Sequence, residues 1–173
     1  MSLYPDLFRA LEEHGVRYLL AGESAMVLLG SARPAKDVIL VLAMNDKNVG
    51  AFLSVARSLG LKPGVPVAMD ALKSSVERNR WFEDKLMVTL PFIAPESTRS
   101  CIEVLLRHSL DFDAAFARAV PCRFHEHEVR VPSAEDMIVL KKASGRQSDR
   151  DDIVFLRELQ NVPRETLTPV LPA

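Results

Sequence analysis

Three stretches of the chain place oxygen-bearing side chains beside short apolar runs. Gly22-Glu23-Ser24 interrupts the sequence after Val16–Ala21, Asp37 opens the run Asp37–Leu42, and Glu103 lies inside Cys101–Leu106 with apolar neighbours on both sides. An acid within a strand of that kind is costly to bury unless it is paired or binds a metal, and it is cheap if that face of the strand meets water. Asp37 also has a plainer reading, a carboxylate at a strand start that hydrogen-bonds the loop of Arg33. The chain has no GxxxxGK[ST] phosphate loop, no GxGxxG turn, no HExxH helix and no GxSxG elbow, which removes the P-loop, Rossmann, zincin and α/β-hydrolase classes.

Other groups of reactive side chains read more plainly. His125-Glu126-His127-Glu128 would put two imidazoles on one strand face, but no third ligand follows at a recognisable spacing, and the run suits a solvated hairpin tip. Arg78, Arg80 and Lys85 surround Trp81 and Phe82; they form either a basic, aromatic patch for a base or partner, or a loop docked by its rings with wet charges. Arg146, Asp149 and Asp152 suit an ion-pair network at the start of the last helix. Cys101 and Cys122, without CxxC or Cys/His spacing, read as free thiols of a reducing compartment.

These residues must be positioned by an alternation of helices and strands. Leu7, Phe8 and Leu11 recur at helical spacing between Pro5-Asp6 and Gly15. Val16–Ala21 then predicts a strand, Ala25–Leu29 a short buried helix closed by Gly30, and Ser31–Lys36 a loop into the strand Asp37–Leu42, buried on both faces. Asn45 or Asp46 caps a helix over 48–59 that ends at Gly60. Lys62–Val67 reads as a loop, Met69–Arg80 as a helix, and Leu86–Leu90 and Cys101–Leu106 as two strands separated by a loop with Pro91 and Pro95. A helix over 112–119, a hairpin pairing 122–124 with 129–131, and helices over 134–142 and 150–159 complete the pattern, with Ser133 and Asp136 set as a capping box. Residues 1–161 make one domain and 162–173 an irregular tail containing Pro163 and Pro169.

Length and composition agree with one globular unit. The chain has 173 residues, 48% hydrophobic and 26% charged, which excludes disorder and collagen-like or disulfide-dense architectures. A net charge of -1 gives no basic field for strong nucleic-acid binding. The first ten residues lack the apolar core of a signal peptide, and Val38–Met44 is too short to span a bilayer, so a cytoplasmic protein without membrane contact is expected.

Taken together, Gly22-Glu23 after a strand, Asp37 opening the next strand after 13 intervening residues, and Glu103 in Ile102-Glu103-Val104 resemble the nucleotidyltransferase superfamily. The run Ser133 to Lys141, followed by Gly145-Arg146, Asp149 and Asp152, is similar to small bacterial members, which include toxin components of toxin–antitoxin pairs. The resemblance spans about residues 7–159 and implies an α/β (α+β) fold, a nucleotidyltransferase-like mixed β-sheet flanked by helices, with C-terminal helices. It implies Asp37 and Glu103 as catalytic Mg²⁺ ligands. Gly22, Glu23, Ser24 and Lys141 would lie along the phosphates of a nucleoside triphosphate.

Two departures matter. The family's second metal carboxylate falls two residues after the first, where this chain has Ile39, and its second small residue after the strand falls on Glu23, with Ser24 as a partial substitute. Acids at i and i+2 share a strand face and can bridge two ions; Asp37 alone cannot. Magnesium can still be held by one or two carboxylates together with substrate phosphates. The expectation is therefore a degenerate site that binds a nucleotide or a protein partner with little or no transfer. The alternative is a working Mg²⁺-dependent enzyme moving a nucleoside monophosphate to a hydroxyl on RNA, protein or a small molecule.

Overall fold

The computed structural model describes residues 3–35, 38–95, 100–124 and 126–161; Asp37, His125 and the tail 162–173 lie outside them. Helix α1 (Leu3–Glu13) leads to strand β1 (Tyr18–Ala21), helix α2 (Gly22–Leu28) and strand β2 (Val38–Leu42). Helix α3 (Asp46–Ser58) follows, then a two-residue strand β3 (Lys62–Pro63), a 3-10 turn (Met69–Lys73) and helix α4 (Ser75–Lys85). Strands β4 (Thr89–Ile93) and β5 (Ser100–Leu105) precede helix α5 (Phe112–Ala117), the hairpin β6 (Val120–Phe124) and β7 (His127–Val131), and helices α6 (Ala134–Ser144) and α7 (Gln147–Gln160).

Five strands form one mixed sheet in the order β1-β2-β5-β4-β3, in which β2 and β5 run parallel and the other neighbours antiparallel. This is the mixed α/β architecture expected from the sequence. Strand alternation gives the sheet two unlike faces. Val38, Leu40, Leu90, Phe92, Ile102 and Val104 are buried on one, where Phe52 of α3 meets Phe92 edge to face at 5.4 Å. Ile39, Thr89, Pro91, Glu103 and Leu105 occupy the other and are only half-buried. The hairpin β6–β7 is a second sheet, and β7 packs beside β1, covering that edge.

Local chemistry explains the helix ends. The Asn45 side chain accepts from Asn48 N at 2.9 Å and the Ser133 hydroxyl from Asp136 N at 3.2 Å, each meeting a backbone donor that has no partner within its helix. Three expectations are corrected. The helix anticipated over Met69–Arg80 is split at Ser74, whose hydroxyl accepts from Glu77 N and restarts the chain as α4. The strand anticipated at Leu86–Leu90 begins at Thr89 instead, because Leu86 terminates α4 in the left-handed conformation at φ 51°. Pro91, expected in a loop, is inside β4, where its carbonyl accepts from Gly64 N at 2.8 Å.

Gly22 turns β1 into α2 and is committed to glycine twice over. Its φ is +71°, and a Cβ there would stand 2.7 Å from Cδ1 of Ile39 and 3.3 Å from its Cβ. Gly22→Ala is expected to destabilise the fold by about 1–3 kcal/mol. Urea denaturation checks this; an unchanged midpoint would show that Ile39 moves aside at no cost.

Candidate nucleotide cleft

The half-buried sheet face floors a cleft of about 840 Å³. Residue pairing across the sheet lines up Ala21, Ile39, Glu103 and Pro91 on β1, β2, β5 and β4, so Glu103 stands beside Ile39 on the cleft side. Among the described residues no cation or hydrogen-bond donor pairs with the Glu103 side chain. That decides between the two readings of this acid: it is affordable in an apolar strand because its face is half-open to water.

Helix α6 borders the cleft through Met137, Leu140 and Lys141, and the turn from α6 into α7 adds Arg146. Gly22 and Glu23 reach it from the start of α2, whereas Ser24 is buried and is not part of its lining. The turn read from Gly22-Glu23-Ser24 is the first turn of α2 itself.

Lys141 touches the cleft, yet its ammonium is engaged. Its Nζ lies 3.0 Å from Asp149 Oδ1 and 2.7 Å from Asp152 Oδ2, and all three side chains are nearly buried. Asp152 also pairs with Arg33, whose guanidinium reaches the Ser148 carbonyl at 3.4 Å. Asp149 additionally accepts from Arg146 N at 2.9 Å and from the Ser144 hydroxyl. Burial by itself would raise the Asp149 pKa; the donors of Lys141, Ser144 and Arg146 outweigh it and hold the carboxyl below its ordinary value. Two carboxylates thus neutralise Lys141 and Arg33, and the network ties α6, α7 and the loop before β2 together. The Arg146 side chain, grouped with this network on sequence grounds, takes no part in it beyond its backbone.

Of the remaining wall the sequence singles out only Phe82, within the patch around Trp81. Phe82 of α4, Leu86, and Arg107 and His108 just beyond β5 line it. Arg107 Cζ sits 4.1 Å from the centroid of the Phe82 ring, a cation–π contact at an exposed position. Among the described residues His108 Nδ1 is buried with no close hydrogen-bond partner, and burial, outweighing the Leu110 backbone, lowers the pKa of the ring and favours neutral imidazole. The signal available in the sequence was distance along the chain: Arg107 follows Glu103 by four residues, two past the end of the same strand.

The other groups weighed from the sequence lie elsewhere. Trp81 is buried, Arg78 donates to the carbonyls of Leu72 and Lys73 at 2.6 and 2.9 Å, and Arg80 pairs with Asp84, so that cluster mostly supports its own helix. His127 lies in β7, and His125 lies outside the described residues. Cys122 is a half-buried free thiol whose pKa burial pushes up. Among the described residues no helix is long and apolar enough to cross a membrane.

The described residues, which do not include Asp37, offer magnesium few ligands. Among them no group of three His, Cys, Asp or Glu side chains stands close enough to hold a metal ion, and the position beside Glu103 is occupied by the aliphatic Ile39. A two-metal centre would need an oxygen ligand there.

No family model matches the chain, and no curated protein matches it in sequence. Among solved structures it is similar to ANT(2")-Ia, an aminoglycoside nucleotidyltransferase, in complex with adenylyl-2"-tobramycin. The TM-score is 0.53 at 14% identity, over 95% of this chain and 90% of that one. The likeness covers nearly the whole chain, and the chain therefore has a nucleotidyltransferase-like fold.

Proposed function

We infer that the protein binds a nucleotide in this cleft and transfers little or nothing from it. The observation that carries this reading is Ile39. It pairs in register with Glu103 and packs against Gly22, so an aliphatic side chain fills the place beside the acid where a metal-bridging carboxylate would be needed. Exposed Leu86 and Val88 on the cleft rim support a protein partner as an additional occupant of the same edge.

A second reading, slow Mg²⁺-dependent transfer of a nucleoside monophosphate to a hydroxyl, is favoured by the unpaired Glu103 carboxylate on the cleft side. The adenylylated small molecule held by ANT(2")-Ia is the kind of product it would make.

The test is calorimetric titration of ATP, GTP, CTP and UTP into the protein with and without Mg²⁺, beside Asp37→Ala. Binding of at least one nucleotide that survives removal of Mg²⁺, without turnover, is the expected result. Magnesium-dependent binding lost in Asp37→Ala, with steady release of pyrophosphate, would establish the second reading. Silence at millimolar nucleotide would overturn both.

A further inference from the structure

We propose that the phosphate-binding cations of this cleft are Arg107 and Arg146, rather than Lys141. The inference rests on the nucleotide reading and names the part of the ligand that those residues hold. The ammonium of Lys141 already has two nearly buried carboxylates within 3.0 Å, so drawing it to a phosphate would strand Asp149 and Asp152.

Arg107 and Arg146 are in the opposite condition. Both are exposed, both line the cleft, and neither side chain has a carboxylate partner among the described residues. Elsewhere Arg9, Arg17, Arg33, Arg57 and Arg118 each hold an acid. The two arginines come from different elements, one beyond β5 and one between α6 and α7, so the fold has gathered them from separate parts of the chain.

Phe82 adds a second feature. A guanidinium resting on a ring loses much of its rotational freedom, while its N–H donors lie in its own plane and remain available at the rim. Such a fork matches two oxygens of a phosphate, which a point-charge ammonium does not. Once Lys141 and Asp149 have cancelled, Arg107 and Arg146 are the remaining arginine and lysine cations of the cleft lining, with Glu23 in the lining and Glu103 on the floor. The ligand class is therefore a di- or triphosphate anion, presented as the phosphate chain of a nucleotide.

The experiment titrates inorganic pyrophosphate, ATP and adenosine, in Mg²⁺-free buffer, into the full chain and into Arg107→Met, Arg146→Met and Arg107→Lys. Methionine keeps an aliphatic body over Phe82 while removing the charge, and a thermal melt confirms that each variant folds. Each methionine variant should bind pyrophosphate and ATP about tenfold or more weakly, with adenosine unaffected and Arg107→Lys in between. Pyrophosphate binding that depends on both arginines, with ATP no tighter than pyrophosphate, would sustain this inference while sinking the nucleotide reading. ATP binding unchanged in both methionine variants would do the reverse. No pyrophosphate binding to the unaltered chain would overturn the inference.

Discussion

Lys141→Met should cost the protein about 3–5 kcal/mol, the largest loss expected from any single change in or around the cleft. Methionine replaces most of the stem volume, so the effect isolates the charge. Removing it leaves Asp149 with the Ser144 hydroxyl and the Arg146 backbone, and leaves Asp152 with Arg33 alone. Because the cost comes from a stranded carboxylate, Lys141→Met combined with Asp149→Asn should recover part of it. Denaturant unfolding of the three proteins checks this, and additive losses in the double variant would refute the coupling. The same network sets an acid limit. Asp149 is held below its ordinary pKa in the folded state, so the stability it contributes is fully present above the unfolded value of about 3.9. That contribution drains away as pH falls through the lower folded value. In Lys141→Met this acid-dependent component should shrink.

Ile39→Asp should create a cation site that the native cleft does not offer. The new carboxylate would stand across from Glu103 on the neighbouring parallel strand, with Cβ atoms about 5 Å apart. Two half-buried acids at that spacing repel in the absence of an ion and jointly ligate one when it is present. The variant should therefore melt lower than the native protein without magnesium and recover with it. At a concentration ten times the dissociation constant the recovery is about 1.4 kcal/mol. Gain of nucleotide transfer would identify Ile39 as the lesion in an otherwise competent site. If the variant's melting is indifferent to magnesium, the geometry beside Glu103 does not form a metal site, and the binding reading of the cleft must stand without an ancestral enzyme behind it.

How far the sequence reveals this arrangement depends on the range of the forces involved. Apolar spacing and capping residues act within a turn or two, and they placed α1, α3, α6 and the strands carrying Ile39 and Glu103 close to where they lie. Pro91 misled because a proline suggests a loop, yet β4 uses its carbonyl rather than the N–H it lacks. Ser74 misled because one hydroxyl decides whether Met69–Lys85 is one helix or two. Lys141, which the resemblance implies along the phosphates, pairs with two aspartates instead. Its pairing depends on how α7 docks, which local pattern does not encode. The Phe82–Arg107 contact is harder still, since it joins elements that only the sheet brings together.

The bond between Arg33 and the carbonyl of Ser148 closes a span of 115 residues. During synthesis the loop ahead of β2 and the whole sheet emerge before either aspartate exists to receive Arg33 or Lys141. Until α7 arrives, Lys141 must stay hydrated, and the wall it builds must stay apart from the floor. Completion of the cleft is then a non-local closure of the kind that slows assembly. A nascent chain interrupted before residue 149 would lack both aspartates that hold Lys141, one of which also holds Arg33.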